Sequence, residues 1–421
     1  MKSCVRYLSV QIITLGLLFS SENYLEPPKP KKETTTSKKE VKKTSAYLEK
    51  GEELKKKGKQ LQAKALEVNR LKKQLQFMGH QKHHPAFGST VAQYKKLVSQ
   101  HEKEINEYKV QVGDLVGKMK RPFEKGSLSR EEALLYGRQY LVLGKTTRMI
   151  SVFKKVNADK GLAAAESSEL AKAHNSLNEM DEATLVLQNA LKQKLEFEKK
   201  SELQFMLAQN YFWLEKFKDS ILILKELERF PETRTRASRF LISYTQAYAG
   251  YKTELGYRKK SKNLPRAEIK TNKGIVLLEL FEDDAPNAVS NFIILAENKY
   301  FDRQKFHRVI PNFMAQGGDP NSKDSDPSND GQGGPGYGIR TEISKRNHFR
   351  GVISYANAGK DTDGSQFFLT VIPTFWLNGK HAVFGRILEG VDVVDSLSKG
   401  DEINSVKILS KRDHPYQVKK L

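Results

Sequence analysis

The stretch from Phe306 to Asp319 reads Phe-His-Arg-Val-Ile-Pro-Asn-Phe-Met-Ala-Gln-Gly-Gly-Asp, and it indicates the architecture of the C-terminal third of the chain. It places one cation, Arg308, a few residues from an aromatic ring, a thioether and an amide. On either side, short apolar runs alternate with clusters of Gly, Asp and Asn. That alternation predicts a closed antiparallel sheet in this part of the chain.

Three further segments follow in order: Ser354-Tyr-Ala-Asn-Ala-Gly359, Gly364-Ser-Gln-Phe-Phe-Leu369 and Phe375-Trp-Leu-Asn-Gly-Lys-His381. Together with the first stretch they resemble the cyclophilin family of peptidyl-prolyl isomerases. The resemblance runs from about Arg266 to His414 and places an isomerase domain at residues 266–415. It implies a closed antiparallel β-barrel of eight strands with two capping helices.

Local signals agree with such a barrel. Asn272-Lys-Gly274 separates two partly alternating runs and predicts a hairpin turn. Asp284 is expected to cap the first helix, with Pro286 in its first turn. The second helix is expected at Val391–Ser398. The Gly-rich run Gly331–Gly338 is not a phosphate-binding loop, because it lacks the Lys-Ser/Thr ending.

The resemblance implies an enzyme that turns X–Pro peptide bonds between trans and cis, against a barrier of roughly 18–20 kcal/mol. No covalent bond is made or cut, so we expect no metal and no cofactor. The enzyme needs only to favour the twisted amide over both planar forms. A cationic donor aimed at the prolyl nitrogen and an apolar slot for the ring would do so.

The resemblance also assigns roles to residues. Arg308, Gln316 and Phe313 are the expected catalytic group, with Arg308 donating to the prolyl nitrogen. The expected substrate-binding residues line the slot or border it: Met314, Ala356, Asn357, Phe368, Trp376, Leu377 and His381. Tyr355 departs from the family, which usually has Met or a similar apolar residue before the Ala. Since neighbouring strand residues face opposite ways, we expect Tyr355 to point away from the slot.

The net charge of +22 is concentrated outside this domain. From Arg266 onward the chain has 21 Lys and Arg and 20 Asp and Glu. The residues before Arg266 include 51 Lys and Arg and 30 Asp and Glu. Such a balance suggests acidic partners, but Lys dominates and aromatic residues are not interleaved with it. Solvated helix faces are therefore the favoured interpretation of the basic region, and nucleic-acid binding is the less favoured one. Cys4 is the only cysteine, which excludes an intrachain disulfide.

Residues 1–21 are typical of an export signal: Lys2 and Arg6 precede a short apolar run. Without a clear Ala-x-Ala site, the segment is either cleaved or retained as a membrane anchor. Residues 22–45, rich in Pro, Lys and Thr, are expected to be a disordered linker. We therefore expect an exported, periplasmic or envelope-associated protein.

Residues 46–121 carry heptad patterns that predict a coiled-coil-like helical hairpin. Apolar or aromatic residues recur every seven positions: Tyr47, Leu54, Leu61, Val68 and Leu75, then Val91, Val98, Ile105, Val112 and Met119, with Tyr94, His101, Tyr108 and Leu115. The hairpin is either architectural or a docking arm. His80, His83 and His84 lie in the break between the helices, and a metal site there is the less favoured interpretation.

Residues 128–255 resemble tetratricopeptide repeats. The pairs Tyr136-Gly137, Leu170-Ala171 and Leu207-Ala208 are spaced 34 and 37 residues apart. A closing helix is expected near 237–251, followed by a short basic hinge at 259–265. Such a solenoid either recruits a protein partner or serves as a spacer.

The sequence thus predicts a multidomain protein with an all-α N-terminal part and a C-terminal cyclophilin-like barrel. We expect an isomerase that acts on proline-containing polypeptides and assists the folding of exported or envelope proteins. The alternative is a scaffold that binds proline-containing segments with weak or no catalysis.

Overall fold

The computed structural model describes residues 46–79 and 86–421. The predicted signal segment, the predicted linker and the three histidines between the first two helices lie outside the described residues. The chain divides into two compact units, the first ending at Ala165 and the second comprising Glu166–Leu421. This division differs from the predicted one, because α-helices from the repeat region share a hydrophobic core with the C-terminal sheet.

The first unit contains a pair of long antiparallel helices, α1 (Ala46–Gly79) and α2 (Phe87–Glu124). Lys64 Nζ lies 2.6 Å from Glu104 Oε1, and Lys57 Nζ lies 3.2 Å from Gln111 Oε1. Most heptad residues are buried between the two helices, as the pattern predicts: Leu54, Leu61, Val68, Tyr94, Val98, His101, Ile105, Tyr108, Val112, Leu115 and Met119.

Shorter helices follow in pairs. They are α3 (Arg130–Val142) and α4 (Thr146–Lys160), α5 (Ala164–Asn175) and α6 (Met180–Ala190), and α7 (Phe197–Trp213) and α8 (Phe217–Glu228). Small residues of the repeat pattern lie where α3 crosses α4 and where α7 crosses α8. A Cβ added at Gly137 in α3 would lie 2.8 Å from a ring carbon of Phe153 in α4. Ser220 Oγ in α8 donates to the Ala208 carbonyl of α7 at 2.6 Å.

The last helix of this region, α9 (Pro231–Lys260), is longer than predicted at both ends. It begins with Pro231, which is compatible with a first helical turn. The expected hinge at 259–265 is not a free connection. Ser261 Oγ accepts a hydrogen bond from Arg346 Nη2 at 3.3 Å, and Leu264 is buried in a core with residues of the sheet.

The C-terminal part is one curled antiparallel sheet with the order β3-β9-β1-β2-β8-β6-β7-β5-β4. Its strands are β1 (Arg266–Thr271), β2 (Gly274–Leu280), β3 (Gln304–Lys305), β4 (Arg308–Ile310), β5 (Met314–Gly317), β6 (Val352–Tyr355), β7 (Phe367–Thr370), β8 (Val383–Glu389) and β9 (Glu402–Ser410). The predicted fold class is confirmed. Nine strands replace the expected eight, because β3 pairs with β9 whereas β4, two residues later, pairs with β5. The two ends of the sheet are thus joined by the chain itself.

Two helices accompany the sheet, α10 (Pro286–Glu297) and α11 (Val391–Ser396). The predicted hairpin turn is present, since Thr271 pairs with Gly274. The predicted cap by Asp284 was wrong: Ala285 is the N-cap residue and makes no side-chain cap bond. Instead, the Asp284 carboxylate lies 2.7 Å from Arg346 Nε, because a buried guanidinium needs a carboxylate partner. Glu342 Oε2 accepts the Ala288 N–H at 2.8 Å in its place.

The second unit has two main hydrophobic clusters. One fills the interior of the sheet and includes Phe292, Phe301 and Phe384. The other lies between the helices and the sheet; its helical members include Phe205, Phe212, Phe217, Leu224, Leu241 and Tyr244, and its sheet-side members Phe281, Phe349, Val352 and Val383. Helices α7 to α9 therefore pack directly on the barrel. Across residues 46–79 and 86–421, every helix is too short or too polar to cross a bilayer.

Candidate functional site

The sheet register aligns the predicted site residues in one row. Arg308 of β4 pairs with Gln316 of β5, Gln316 pairs with Phe368 of β7, and Phe368 pairs with Ser354 of β6. Residues directly opposite each other in antiparallel strands project to the same face. The cation and the amide of the first motif and the aromatic ring of a later one are therefore neighbours.

A chain of side-chain hydrogen bonds orients Arg308. Arg308 Nη1 donates to Gln316 Oε1 at 3.2 Å, and Gln316 Nε2 donates to Gln366 Oε1 at 3.0 Å. Gln366 Nε2 in turn donates to the Gly333 carbonyl at 2.9 Å. Partial burial lowers the pKa of the Arg308 guanidinium, which nevertheless stays charged at neutral pH. The row therefore presents a fixed cationic donor.

Apolar side chains surround the same row. Met314 and Phe368 are buried, while Trp376 is 56% exposed and lies with its ring centroid 5.8 Å from that of Phe313. The His381 ring meets Phe368 edge-on, with centroids 5.5 Å apart. Leu377 follows Trp376 in a short 3-10 turn, Phe375–Leu377. The arrangement offers an apolar surface beside a cation, which suits a pyrrolidine ring and its amide nitrogen.

Comparison with known proteins agrees with this geometry. The family profile "Cyclophilin type peptidyl-prolyl cis-trans isomerase/CLD" matches residues 266–414. A peptidyl-prolyl cis-trans isomerase of Helicobacter pylori is 49% identical over 144 residues, which cover 33% of this chain and 84% of that protein. One of Synechococcus elongatus is 44% identical over 149 residues, which cover 35% of this chain and 98% of that protein. This chain belongs to the cyclophilin family.

The cyclophilin domain is thus a peptidyl-prolyl cis-trans isomerase that binds proline-containing peptides. Helices α1 to α9 lie outside the matched residues. The tetratricopeptide character of the repeat region and the roles of individual site residues stay predictions.

Tyr355, the departure from the usual cyclophilin sequence, points into the barrel as expected. Its ring stacks on Phe384 with centroids 4.5 Å apart. Its hydroxyl donates to the Ala288 carbonyl at 3.1 Å and accepts from Asn291 Nδ2 at 2.9 Å. A larger, polar side chain is accommodated there because its only polar atom is hydrogen-bonded.

Asn357 and Ala356 lie in the loop that follows β6. The Ala356 N–H donates to the Gln366 carbonyl at 2.9 Å. Asn357 Nδ2 donates to Asp363 Oδ1 at 2.8 Å and to the Lys380 carbonyl at 3.2 Å. The Asn357 amide nitrogen therefore ties two loops of the cyclophilin domain together.

Two residues of the site were missed by the sequence analysis. Gln366, which orients Gln316, lies two positions before Phe368 in a motif already identified, so the two-residue period of a strand could have found it. His348 stacks on Phe368, with centroids 5.9 Å apart, and its Nε2 lies 3.1 Å from Ser354 Oγ. Burial lowers the pKa of His348 to about 4. It follows an irregular segment with no periodic signal.

Residues 46–79 and 86–421 contain no group of three or more His, Cys, Asp or Glu side chains placed to hold a metal ion.

Proposed function

We propose that Arg308 is the group that stabilises the twisted amide in this isomerase. When the X–Pro bond rotates out of plane, amide resonance is lost and the prolyl nitrogen regains a lone pair. A fixed N–H donor interacts with that lone pair only in the twisted state, so it lowers the barrier rather than merely binding substrate. The Arg308–Gln316 hydrogen bond, in the same row as Phe368, is the observation that supports this role most directly.

The remaining site residues receive matching roles in the proposal. Phe313, Met314, Phe368 and Leu377 hold the pyrrolidine ring, with His381 at the edge of the slot and Trp376 at its border. Gln316 and Asn357 act on the peptide backbone, and the small Ala356 lets that backbone approach. Holding the ring while the acyl side turns is the positioning that such a rotation needs.

The Arg308 role is tested by comparing Arg308→Ala with Arg340→Ala in the full chain. Arg340 is an exposed arginine of the same domain and serves as the matched control. We expect Arg308→Ala to lower kcat/KM in a protease-coupled Ala-Pro peptide assay by about 100-fold or more. Arg340→Ala is expected to retain full activity, and both variants are expected to melt like the wild type. An Arg308→Ala protein that keeps full activity refutes the assignment.

We further propose that the enzyme speeds proline-limited folding of exported or envelope proteins. Uncatalysed X–Pro isomerisation takes tens to hundreds of seconds, long enough to limit folding. The support for export is the apolar segment in residues 1–21 with its basic start. Sequencing the N-terminus of the protein from fractionated cells distinguishes a cleaved signal, a retained anchor and a protein that was never exported.

The helical repeats are proposed to recruit client or partner proteins. The supporting observation is the succession of helices α3–α4, α5–α6 and α7–α8, with small residues where α3 crosses α4 and where α7 crosses α8. Family membership favours catalysis over the alternative of a scaffold that only binds proline-containing segments. Exchange spectroscopy on a proline peptide separates the two, because a scaffold would bind without accelerating the exchange between cis and trans.

A further inference from the structure

The loop between α5 and α6 lies against the cyclophilin barrel beside the proposed slot. Asn178, in that loop, is only 7% exposed. Its Oδ1 accepts the backbone N–H of Asn312 at 2.7 Å, and its Nδ2 donates to the backbone carbonyl of Asp395 at 3.0 Å. Asn312 forms the turn between β4 and β5 and immediately precedes Phe313. One side chain from the repeat region therefore holds the turn that carries a slot residue.

The backbone of both segments suits this contact. Asn178 and Asn312 have φ angles of 60° and 54°, in the left-handed region that asparagine tolerates better than most residues. The Phe313 N–H donates to the Ile310 carbonyl at 3.2 Å and closes the turn. Without Asn178 the Asn312 N–H would lose its partner, and a buried unpaired N–H disfavours that conformation.

The loop between α7 and α8 is connected to the carbonyl side of Phe313. Glu215, between α7 and α8, accepts the backbone N–H of Arg350 at 2.9 Å. The Arg350 guanidinium pairs with Asp395 and hydrogen-bonds to the Val371 carbonyl. The Val371 N–H then donates to the Phe313 carbonyl at 3.1 Å. The main chain on both sides of Phe313 is thus connected to loops of the repeat region.

The opposite wall of the slot also contacts the helices. The Phe212 ring of α7 lies 6.1 Å from the ring of Phe375, which itself lies 5.2 Å from Phe349. Phe375 immediately precedes Trp376, the partner of Phe313. The helical layer therefore supports both Phe313 and Trp376.

We propose that Asn178 is a positioning residue of the isomerase, acting through Asn312 to hold Phe313 against Trp376. The inference rests on the proposed function, which assigns Phe313 to the slot. Phe313 is only half-buried and sits at the end of a short turn, so its position depends on how firmly that turn is held. Arg308 is oriented separately by Gln316, so loss of Asn178 affects substrate binding more than the chemical step.

The test compares Asn178→Gly with Asn178→Asp in the full chain. Glycine keeps the left-handed backbone and removes both side-chain bonds, whereas aspartate also tolerates that backbone and keeps an oxygen that accepts the Asn312 N–H. With an Ala-Pro peptide, we expect Asn178→Gly to lower kcat/KM about tenfold, mainly by raising KM. Asn178→Asp keeps the bond from Asn312 but places a carboxylate oxygen, in place of the Nδ2 donor, against the Asp395 carbonyl, so its KM is expected to rise less than that of Asn178→Gly.

Asn263→Gly is the matched control, because Asn263 is also left-handed (φ 53°) but exposed. It is expected to show wild-type kinetics. The proposal is overturned if Asn178→Gly retains the wild-type KM, if it and Asn178→Asp lose activity equally, or if kcat alone falls. Arg308→Ala, measured alongside, tests the proposed function independently: its full activity would refute the site assignment whatever Asn178→Gly does.

Discussion

Asp363 is a fully buried carboxyl group that contacts Asn357 in the loop after β6. Its Oδ1 accepts from Asn357, while its Oδ2 has no hydrogen-bond partner among the described residues. Burial raises the pKa of Asp363 to about 6. Because this value lies above that of an unfolded aspartate, near 3.9, the folded state favours the protonated carboxyl. The stabilising contribution is complete below the unfolded value and is lost as the pH rises through about 6.

We therefore expect Asp363→Asn to be more stable than the wild type at pH 8. The asparagine retains an oxygen for Asn357 and cannot ionise, so it avoids a buried charge that costs about 3 kcal/mol. The advantage is expected to shrink as the pH falls to about 4, where the wild-type carboxyl is protonated. Thermal melts across this pH range measure the effect. The exposed Asp413→Asn is the control, and a stability difference independent of pH would contradict the prediction.

The helical hairpin of α1 and α2 buries a histidine between its two helices. His101 occupies a heptad position and is 2% exposed, and neither ring nitrogen has a hydrogen-bond partner among the described residues. Burial, the largest cause, lowers the pKa of His101. The folded hairpin therefore binds fewer protons than the unfolded chain. Its stability is complete above the unfolded histidine value, near 6.5, and falls as the pH decreases below it.

His101→Leu is expected to stabilise the hairpin and to remove most of this dependence on acid between pH 7.5 and 5.5. Leucine fills a seam position without a polar group that must be desolvated. Both tryptophans, Trp213 and Trp376, lie in the second unit. A melt followed by circular dichroism, compared with one followed by tryptophan fluorescence, therefore isolates the first unit. Lys103→Leu, at an exposed position, controls for the added apolar side chain. If the stability of His101→Leu and of the wild type depended equally on pH, His101 would not be the cause of the acid sensitivity.

At the scale of the second unit, the barrel depends on the helices that precede it. Phe281, Phe349 and Val383 are buried against residues of α7 to α9. Arg346, 4% exposed, pairs with Glu254 of α9 at 3.0 Å as well as with Asp284. A barrel without α9 would expose this apolar face and leave part of a buried ion-pair network unpaired, both of which are destabilising.

We accordingly expect the fragment 266–421 to melt at least about 10 °C below the fragment 166–421, as for a loss of a few kcal/mol from a domain of this size. It is also expected to bind a hydrophobic dye at its exposed face. Calorimetry and dye fluorescence measure the two effects. Equal melting temperatures without dye binding would show that the barrel is independent of the helices.

The sequence by itself determined the barrel and its isomerase family, and it predicted the site residues. Arg308, Gln316 and Phe368 occupy strands whose two-residue period and order along the chain fix which side chains share a face. The heptad patterns of α1 and α2 likewise predicted which faces of the two helices pack together, because the apolar positions of a coiled-coil seam recur every seven residues. Only the tertiary structure decided that helices α7 to α9 and the barrel share one hydrophobic core. Asn178 and Asn312, or Glu254 and Arg346, are single polar residues far apart in the chain, and each could equally face solvent. Such a contact leaves no periodic pattern in the sequence, because it forms only where two folded surfaces happen to be complementary.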